Sequence, residues 1–121
     1  MIMKEIKDVK PFELWVARDC LGAHVRRPVI VVSTENDLET VTIVPLTSDR
    51  NATQLATHVL ISGQGLDRIS RALCEQVMTV SRNALIFRIG CVYEPYDRFA
   101  LRHALAVHLG LQAEEGDGAW S

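Results

Sequence analysis

The chain has 121 residues, 48% of them hydrophobic and 23% charged, with a formal net charge of −2 at pH 7. This is the length of one domain with its own core, and the composition excludes a disordered chain. The apolar runs are too short to span a bilayer, and the start lacks the pattern of a secretion signal, so we expect a cytoplasmic protein.

Short apolar segments predict a series of strands, taken here in chain order. They lie at residues 12–17, 28–33, 40–46, 58–61, 72–80 and 87–92. The stretches between them are rich in turn-forming residues. Strands at this spacing predict a mainly β fold, either a small barrel or a curled sheet.

A helix follows the last strand. Glu94-Pro95 opens it, with proline at the first helical position, and Gly110 closes it. Leu101, Leu105 and Leu109 form an apolar stripe that we expect to pack on the sheet. We therefore expect a single domain over residues 1–111.

Residues 112–121 form an acidic tail, predicted to be mobile, that carries three of the 15 acids and none of the 13 bases. Without it the chain has 13 bases and 12 acids, a net charge of +1. The arginines cluster at Arg26/Arg27, Arg50 and Arg68/Arg71. A basic patch for nucleic acid and scattered solvated arginines fit this distribution about equally.

Cysteine and histidine usage argues against metal. Cys20, Cys74 and Cys91 are odd in number and match no zinc spacing, so they are predicted to be buried thiols in a reducing compartment. The four histidines show no ligand spacing either. No cofactor is predicted.

The segment that begins at Arg26-Arg27-Pro28 indicates an anion site. Proline biases Arg27 toward an extended backbone, and the β-branched run from Val29 to Val32 reads as a strand buried on both faces. Two permanent positive charges thus stand at the start of a rigid strand, and guanidinium groups match phosphate oxygens. The alternative is a surface arginine that packs its stem beside the proline.

Two other strands carry polar groups. The third strand ends in Thr47 and Ser48, and the segment from Ser70 to Val80 contains Glu75 and Gln76. Thr47 either donates to a phosphate or satisfies its own turn. Glu75 either faces solvent or lies in a pocket, where it would act as a base or pair with Arg27.

The order of these parts resembles the MazF/PemK family of toxins, the endoribonucleases of bacterial toxin–antitoxin pairs. The matching parts, over about residues 11–111, are Arg27-Pro28, Pro45 to Ser48, Ser70 with Glu75-Gln76, Thr79, Ile89-Gly90 and Leu109-Gly110-Leu111. The resemblance implies an SH3-like barrel with a C-terminal helix. It also implies a homodimer with single-stranded RNA along its groove, and a cognate antitoxin protein that fills this groove.

The resemblance implies catalytic roles for Arg27, Thr47 and Glu75 in metal-independent attack by the ribose 2′-OH. Such a reaction needs a base, stabilisation of charge on the phosphate and a neutralised leaving oxygen. Contacts with RNA are predicted for His24, Arg26, Ser48, Arg50, Ser70 and Gln76.

Two departures from the family pattern leave the base open. Leu73 stands where members with the acid carry arginine, and the segment before Arg26 is shorter and lacks an acid. His24 lies in that segment, and imidazole as a group can carry a proton near neutral pH, so the base is either Glu75 or His24.

Two other functions fit the sequence. A gyrase poison of the CcdB type shares the fold, and Trp120 lies next to the C-terminus, where such a poison carries a tryptophan. A non-catalytic barrel that binds RNA or a peptide is favoured by Leu73 and by the missing upstream acid.

Overall fold

The computed structural model describes residues 7–18, 25–49, 54–62 and 65–111. Within these ranges the chain forms seven strands and one α-helix, which confirms the mainly β class. They are β1 (Glu13–Arg18), β2 (Arg26–Val31), β3 (Thr40–Thr47), β4 (His58–Ile61), β5 (Ser70–Leu73), β6 (Met78–Ser81), β7 (Leu85–Cys91) and α1 (Pro95–Leu109). No helix in the described ranges is long and apolar enough to cross a membrane.

The strands form one antiparallel sheet in the order β4-β5-β3-β2-β1-β7, with β6 also paired to β3. Between β4 and β7 the described residues form no ladder, so the sheet is open, unlike the closed barrel that the resemblance implied. The connection from β4 to β5 lies against β7 instead. There the Cα of Gly65 approaches the backbone of Ile89 so closely that a Cβ would lie 2.7 Å from the Ile89 carbonyl oxygen.

The predicted strand at 72–80 is wrong in one respect, because it is two strands joined by a 3-10 turn at Cys74–Gln76. Both strands pair with the same edge of β3: Ala72 lies opposite Leu46, and Met78 lies opposite Ile43. Between these two pairs the chain advances six residues from β5 to β6 but only three residues along β3. The 3-10 turn accommodates the three extra residues.

Side chains of successive strand residues enter two separate clusters, one on each face of the sheet. Leu14, Ile30 and Val44 lie in the first cluster, which α1 covers with Leu101 and Ala104. The second cluster contains Val9, Trp15, Ala17, Val29, Val31, Val41, Ile43 and Leu85. The stripe predicted on α1 is thus confirmed for Leu101, which is fully buried, but Leu109 is 53% exposed.

A buried arginine holds the β2–β3 connection. Arg82 is 5% exposed, and its guanidinium donates hydrogen bonds of 2.9 Å to the backbone oxygens of Leu38, Lys7 and Asn36. Since three carbonyls surround the charge, Arg82 is a structural residue and not part of an anion site.

We predict that Gly65→Ala destabilises the protein more than Gly110→Ala does. Both glycines have positive φ, +90° and +69°, so each variant costs about 1–2 kcal/mol in backbone strain. At Gly65 a Cβ would also lie 2.4 Å from Ile89 Cγ2, whereas at Gly110 it meets nothing within 4 Å. Urea denaturation of both variants measures the difference, and equal free energies of unfolding would contradict the tight contact.

Candidate functional site

The start of β2 and the end of β3 form a cleft. Val29 pairs with Pro45 in the β2–β3 ladder, and extending this register by two places sets Arg27 opposite Thr47. The cleft has a volume of about 360 Å³ and is lined by Val25, Arg26, Arg27, Pro28, Leu46, Thr47, Ser48, Asp49 and Ser70. Five of the residues predicted from the sequence as catalytic or RNA-binding thus lie together: Arg26, Arg27, Thr47, Ser48 and Ser70.

Thr47 is half-buried, and its hydroxyl oxygen accepts a hydrogen bond of 3.1 Å from the backbone N–H of Asp49. The turn interpretation of this residue is therefore correct. It does not compete with the functional one, because a hydroxyl that accepts through its oxygen still has its own proton to donate. The bond to Asp49 instead fixes the direction of the Thr47 side chain.

A second cleft adjoins the first at Thr47, Ser48 and Asp49. Its volume is about 430 Å³, and it is completed by Leu60, Asp67, Arg68, Ile69 and Arg71. Across the ladders Leu60 lies opposite Arg71, and Arg71 lies opposite Thr47. Side chains at paired positions share a face of the sheet, so Leu60, Arg71, Thr47 and Arg27 form a row across four strands.

The charge of this surface differs from that of the whole protein. The residues lining the two clefts include Arg26, Arg27, Arg68 and Arg71, but only two acids, Asp49 and Asp67. Four positive and two negative groups leave a local charge of +2. The structure thus brings the first and third arginine clusters of the sequence to one surface.

The other residues predicted to contact RNA differ from one another in exposure and in position. Ser70 is 5% exposed, and its hydroxyl donates to the backbone oxygen of Arg68 at 3.3 Å, so it supports the cleft wall more than it offers a free donor. Gln76 is exposed, but it lies on the 3-10 turn and lines neither cleft. His24 and Arg50 lie outside the described residues.

Glu75 lies on the 3-10 turn and lines neither cleft. It is four residues beyond Arg71, the partner of Thr47, and it has left the strand, so it does not belong to the row of side chains. Its carboxylate is hydrogen-bonded to His58 at 3.0 Å, and not paired with Arg27 as one sequence interpretation had it.

Three hydrogen bonds define the surroundings of Glu75. Its carboxylate accepts from Thr57 Oγ1 and from His58 Nε2, each at 3.0 Å. The backbone N–H of Leu55 donates to His58 Nδ1 at 3.2 Å, so the proton of the neutral ring is on Nε2. The His58 side chain is only 4% exposed. The cluster therefore joins the start of β4 to the 3-10 turn.

These contacts change the titration of neighbouring groups. Partial burial acts to raise the pKa of Glu75, but the hydrogen bonds from His58, from its own backbone N–H and from Thr57 outweigh it, and the pKa lies below the ordinary 4.5. Burial, with the charge of Glu75 beside it, raises the pKa of Cys74 to about 12. Cys74 is therefore the inert buried thiol predicted from the sequence.

A known protein family matches most of this chain. The sequence model of the family described as PemK-like, MazF-like toxin of type II toxin–antitoxin system matches residues 12–109. The chain belongs to this family. The predicted membership is confirmed, and the match does not favour the CcdB alternative. No curated protein sequence matches the chain significantly.

Solved structures of similar fold support the assignment. An endoribonuclease from a mycobacterial species is 19% identical with a TM-score of 0.73, over 88% of this chain and 96% of that one. An endoribonuclease in complex with its cognate antitoxin, also mycobacterial, is 22% identical with a TM-score of 0.73, over 86% and 97%. The Mycobacterium tuberculosis toxin MazF-mt6 is 25% identical with a TM-score of 0.70, over 83% and 98%.

The sequence did not reveal the second cleft of this MazF-like toxin. Arg68 and Arg71 were visible as a cluster, but their position beside Thr47 depends on the pairing of β5 with β3. Leu60 and Ile69 are 57% and 66% exposed. Their neighbours in the sequence alternate as strand residues do, so the pattern did not mark these two side chains as exposed. Among the described residues, no group of three or more His, Cys, Asp or Glu is placed to hold a metal ion.

We predict that Glu75→Gln lowers the free energy of unfolding at pH 7 by about 1–2 kcal/mol, because a neutral amide replaces the charged acceptor and offers one oxygen to the two donors, Thr57 and His58. Since the pKa of Glu75 is lowered on folding, its ionisation stabilises the protein above the ordinary value of 4.5, and this contribution is lost as pH falls through the folded pKa. The stability difference between wild type and variant should therefore shrink below about pH 4.5. Chemical denaturation at pH 7, 5 and 3.5 measures it, and a constant difference would contradict the depressed pKa.

Proposed function

We propose that this toxin is an endoribonuclease that cleaves single-stranded RNA without metal. The ribose 2′-OH gives its proton to a base and attacks the adjacent phosphorus, the bond to the 5′-oxygen breaks and this oxygen takes up a proton, and the products are a 2′,3′-cyclic phosphate and a 5′-hydroxyl. The row of Arg27, Thr47 and Arg71 across adjoining strands carries the proposal, because it lines up phosphate-binding groups along a path that an RNA backbone can follow.

Arg27 and Thr47 have distinct roles in this mechanism. Arg27 presents a planar fork of donors to the non-bridging oxygens, where negative charge builds up in the transition state, and its charge favours departure of the 5′-oxygen. Thr47 donates its hydroxyl proton to the same phosphate, held in direction by the backbone N–H of Asp49. Arg26 and Ser48, both exposed at the rim of the cleft, supply further contacts with the backbone.

The general base remains a prediction between Glu75 and His24. The contacts of Glu75 support a different role for it, because both carboxylate oxygens are used by Thr57 and His58. It would then act as a positioning residue that holds the 3-10 turn, and with it β5, in the register that places Arg71 beside Thr47. His24 precedes the arginine pair by two residues and is the remaining candidate of the sequence analysis.

The protein partners follow from the family and from one exposed surface. A toxin of a type II system acts with an antitoxin protein, and the mycobacterial relative is described in complex with its cognate antitoxin. On and before α1, Tyr93, Tyr96 and Phe99 are 65%, 79% and 65% exposed. Such a concentration of apolar surface suits a protein contact. We propose a cytoplasmic homodimer whose RNA groove the antitoxin occupies.

We predict that Arg27→Ala lowers the rate of RNA cleavage on the order of 100-fold or more, because one anion-stabilising donor is lost from the transition state. The assay is cleavage of a mixed RNA pool with EDTA present. Arg102→Ala is the matched control, since it removes the same charge from α1, away from both clefts; Arg102 stacks on the Phe12 ring at 4.8 Å, so a stability measurement accompanies this variant.

Two results would contradict the proposal. A purified Arg27→Ala variant that cleaves within a few-fold of wild type would remove Arg27 from the mechanism. A folded wild-type protein that binds RNA but cleaves none would establish the non-catalytic barrel instead.

The same assay tests the base through Glu75→Gln. We expect the pH–rate profile of kcat/KM to keep its acidic limb in this variant, because a positioning residue does not carry the transferred proton. The rate itself should fall only as far as the turn is loosened. Loss of the acidic limb together with a fall on the order of 100-fold would make Glu75 the base.

A further inference from the structure

We propose that the second cleft is a nucleobase subsite beside the scissile phosphate, and that Asp67 makes it select a base with an exocyclic amino group over uracil. This inference rests on the proposed function for the position of the phosphate. It goes further by assigning the base that the adjoining nucleotide carries and the residue that reads it.

The position of the cleft suits the base of a neighbouring nucleotide. Thr47 and Ser48 belong to both clefts, so a phosphate held between Arg27 and Thr47 lies at the border of the second one. Leu60 lies two strands away from Thr47, which is about 10 Å in a sheet. This distance is comparable to the reach of one nucleotide from its phosphate to the far edge of its base.

The walls of the cleft suit a flat ring. Leu60 and Ile69 are both large, apolar and more than half exposed, and they stand on the same cleft. A base stacked on these two side chains would remove their apolar surface from water. This contact would not depend on which base is bound. The volume of about 430 Å³ is within the range of ordinary ligand pockets.

Asp67 supplies the selective group. It is exposed, and its carboxylate can only accept hydrogen bonds. Cytosine N4, adenine N6 and guanine N2 are amino groups that donate, whereas the only donor on the uracil edge is N3–H, which lies between two carbonyl oxygens that repel a carboxylate. An amino-bearing base would therefore be bound more tightly than uracil, while Arg68 beside Asp67 keeps the site attractive to the RNA backbone.

The loop that carries Asp67 is held on both sides. Before it, Gly65 lies in contact with Ile89 of β7 at a φ of +90°. After it, the hydroxyl of the buried Ser70 donates to the Arg68 backbone oxygen. A group that must discriminate between base edges needs such a fixed backbone, because a mobile carboxylate would adapt to either edge.

The test measures binding of two hexanucleotides, one of deoxycytidine and one of deoxyuridine, to the full chain by fluorescence anisotropy. Both lack the 2′-OH and so cannot be cleaved. Because the two bases stack alike and differ only in their hydrogen-bonding groups at C4 and N3, we expect wild type to bind the deoxycytidine hexamer on the order of tenfold more tightly. Asp67→Asn should bring the two affinities within about twofold, because its amide can donate to uracil O4.

Asp37→Asn is the matched control. Asp37 is exposed on the β2–β3 connection, lines neither cleft, and loses the same charge on substitution. It should strengthen binding of both hexamers by the same small factor and keep their ratio. Leu60→Ser should weaken both hexamers alike, since it removes part of the platform and not the selective group.

The outcomes separate this inference from the proposed function. Equal affinity of wild type for the two hexamers, no binding of either, or a ratio unchanged in both Asp67→Asn and Asp49→Asn would overturn the subsite, even if the protein cleaves RNA. A ratio lost in Asp49→Asn and kept in Asp67→Asn would overturn the assignment of Asp67. A selective wild type that cleaves no ribonucleotide substrate would support the subsite and refute the nuclease.

Discussion

The shared edge of β3 is the constraint on which the rest of the structure depends. Both β5 and β6 pair with this one edge, and their registers differ by three residues, which the 3-10 turn absorbs. This offset lets Arg71 face Thr47 at one end of β3 while Ser81 still faces Thr40 at the other. It also lifts Glu75 out of the sheet, where a continuous strand would have kept it on the ladder.

The same pairing explains how a chain of net negative charge presents a surface for a polyanion. Arginines from two separate parts of the sequence, Arg26/Arg27 and Arg68/Arg71, lie at or next to strand ends that the sheet places side by side. Because the opposing acids are two and the arginines four, the surface is locally positive, and long-range repulsion by the remaining acids is screened within about 8–10 Å at physiological salt. Overall charge is therefore a poor guide to the partner of this protein.

Much of the fold and part of the site could be predicted from the sequence, because they depend on local patterns. The strand after Pro28 and the helix between Pro95 and Gly110 follow from residues that fix the backbone, and the cleft formed by Arg27 and Thr47 follows from strand ends. The 3-10 turn was missed because residues 72–80 are mostly apolar and hide a change of register that only β3 imposes. The His58–Glu75 pair was missed for the same reason, since 17 residues separate its members in sequence.

The proposed function and the proposed base subsite assign chemistry and base selection to different kinds of element. Arg27, Thr47 and Arg71 belong to strands whose backbone hydrogen bonds and buried neighbours fix them, so a shift of one would shift the whole row. Asp67 and Ile69 belong to a connection that only needs to keep its contact at Gly65 and its end at Ser70. Substitutions in that connection can therefore change which base is accepted while the phosphate stays in place, because no residue of the row moves with it. The close contact between Gly65 and β7 holds the connection that carries Asp67 at a fixed position relative to the row of side chains.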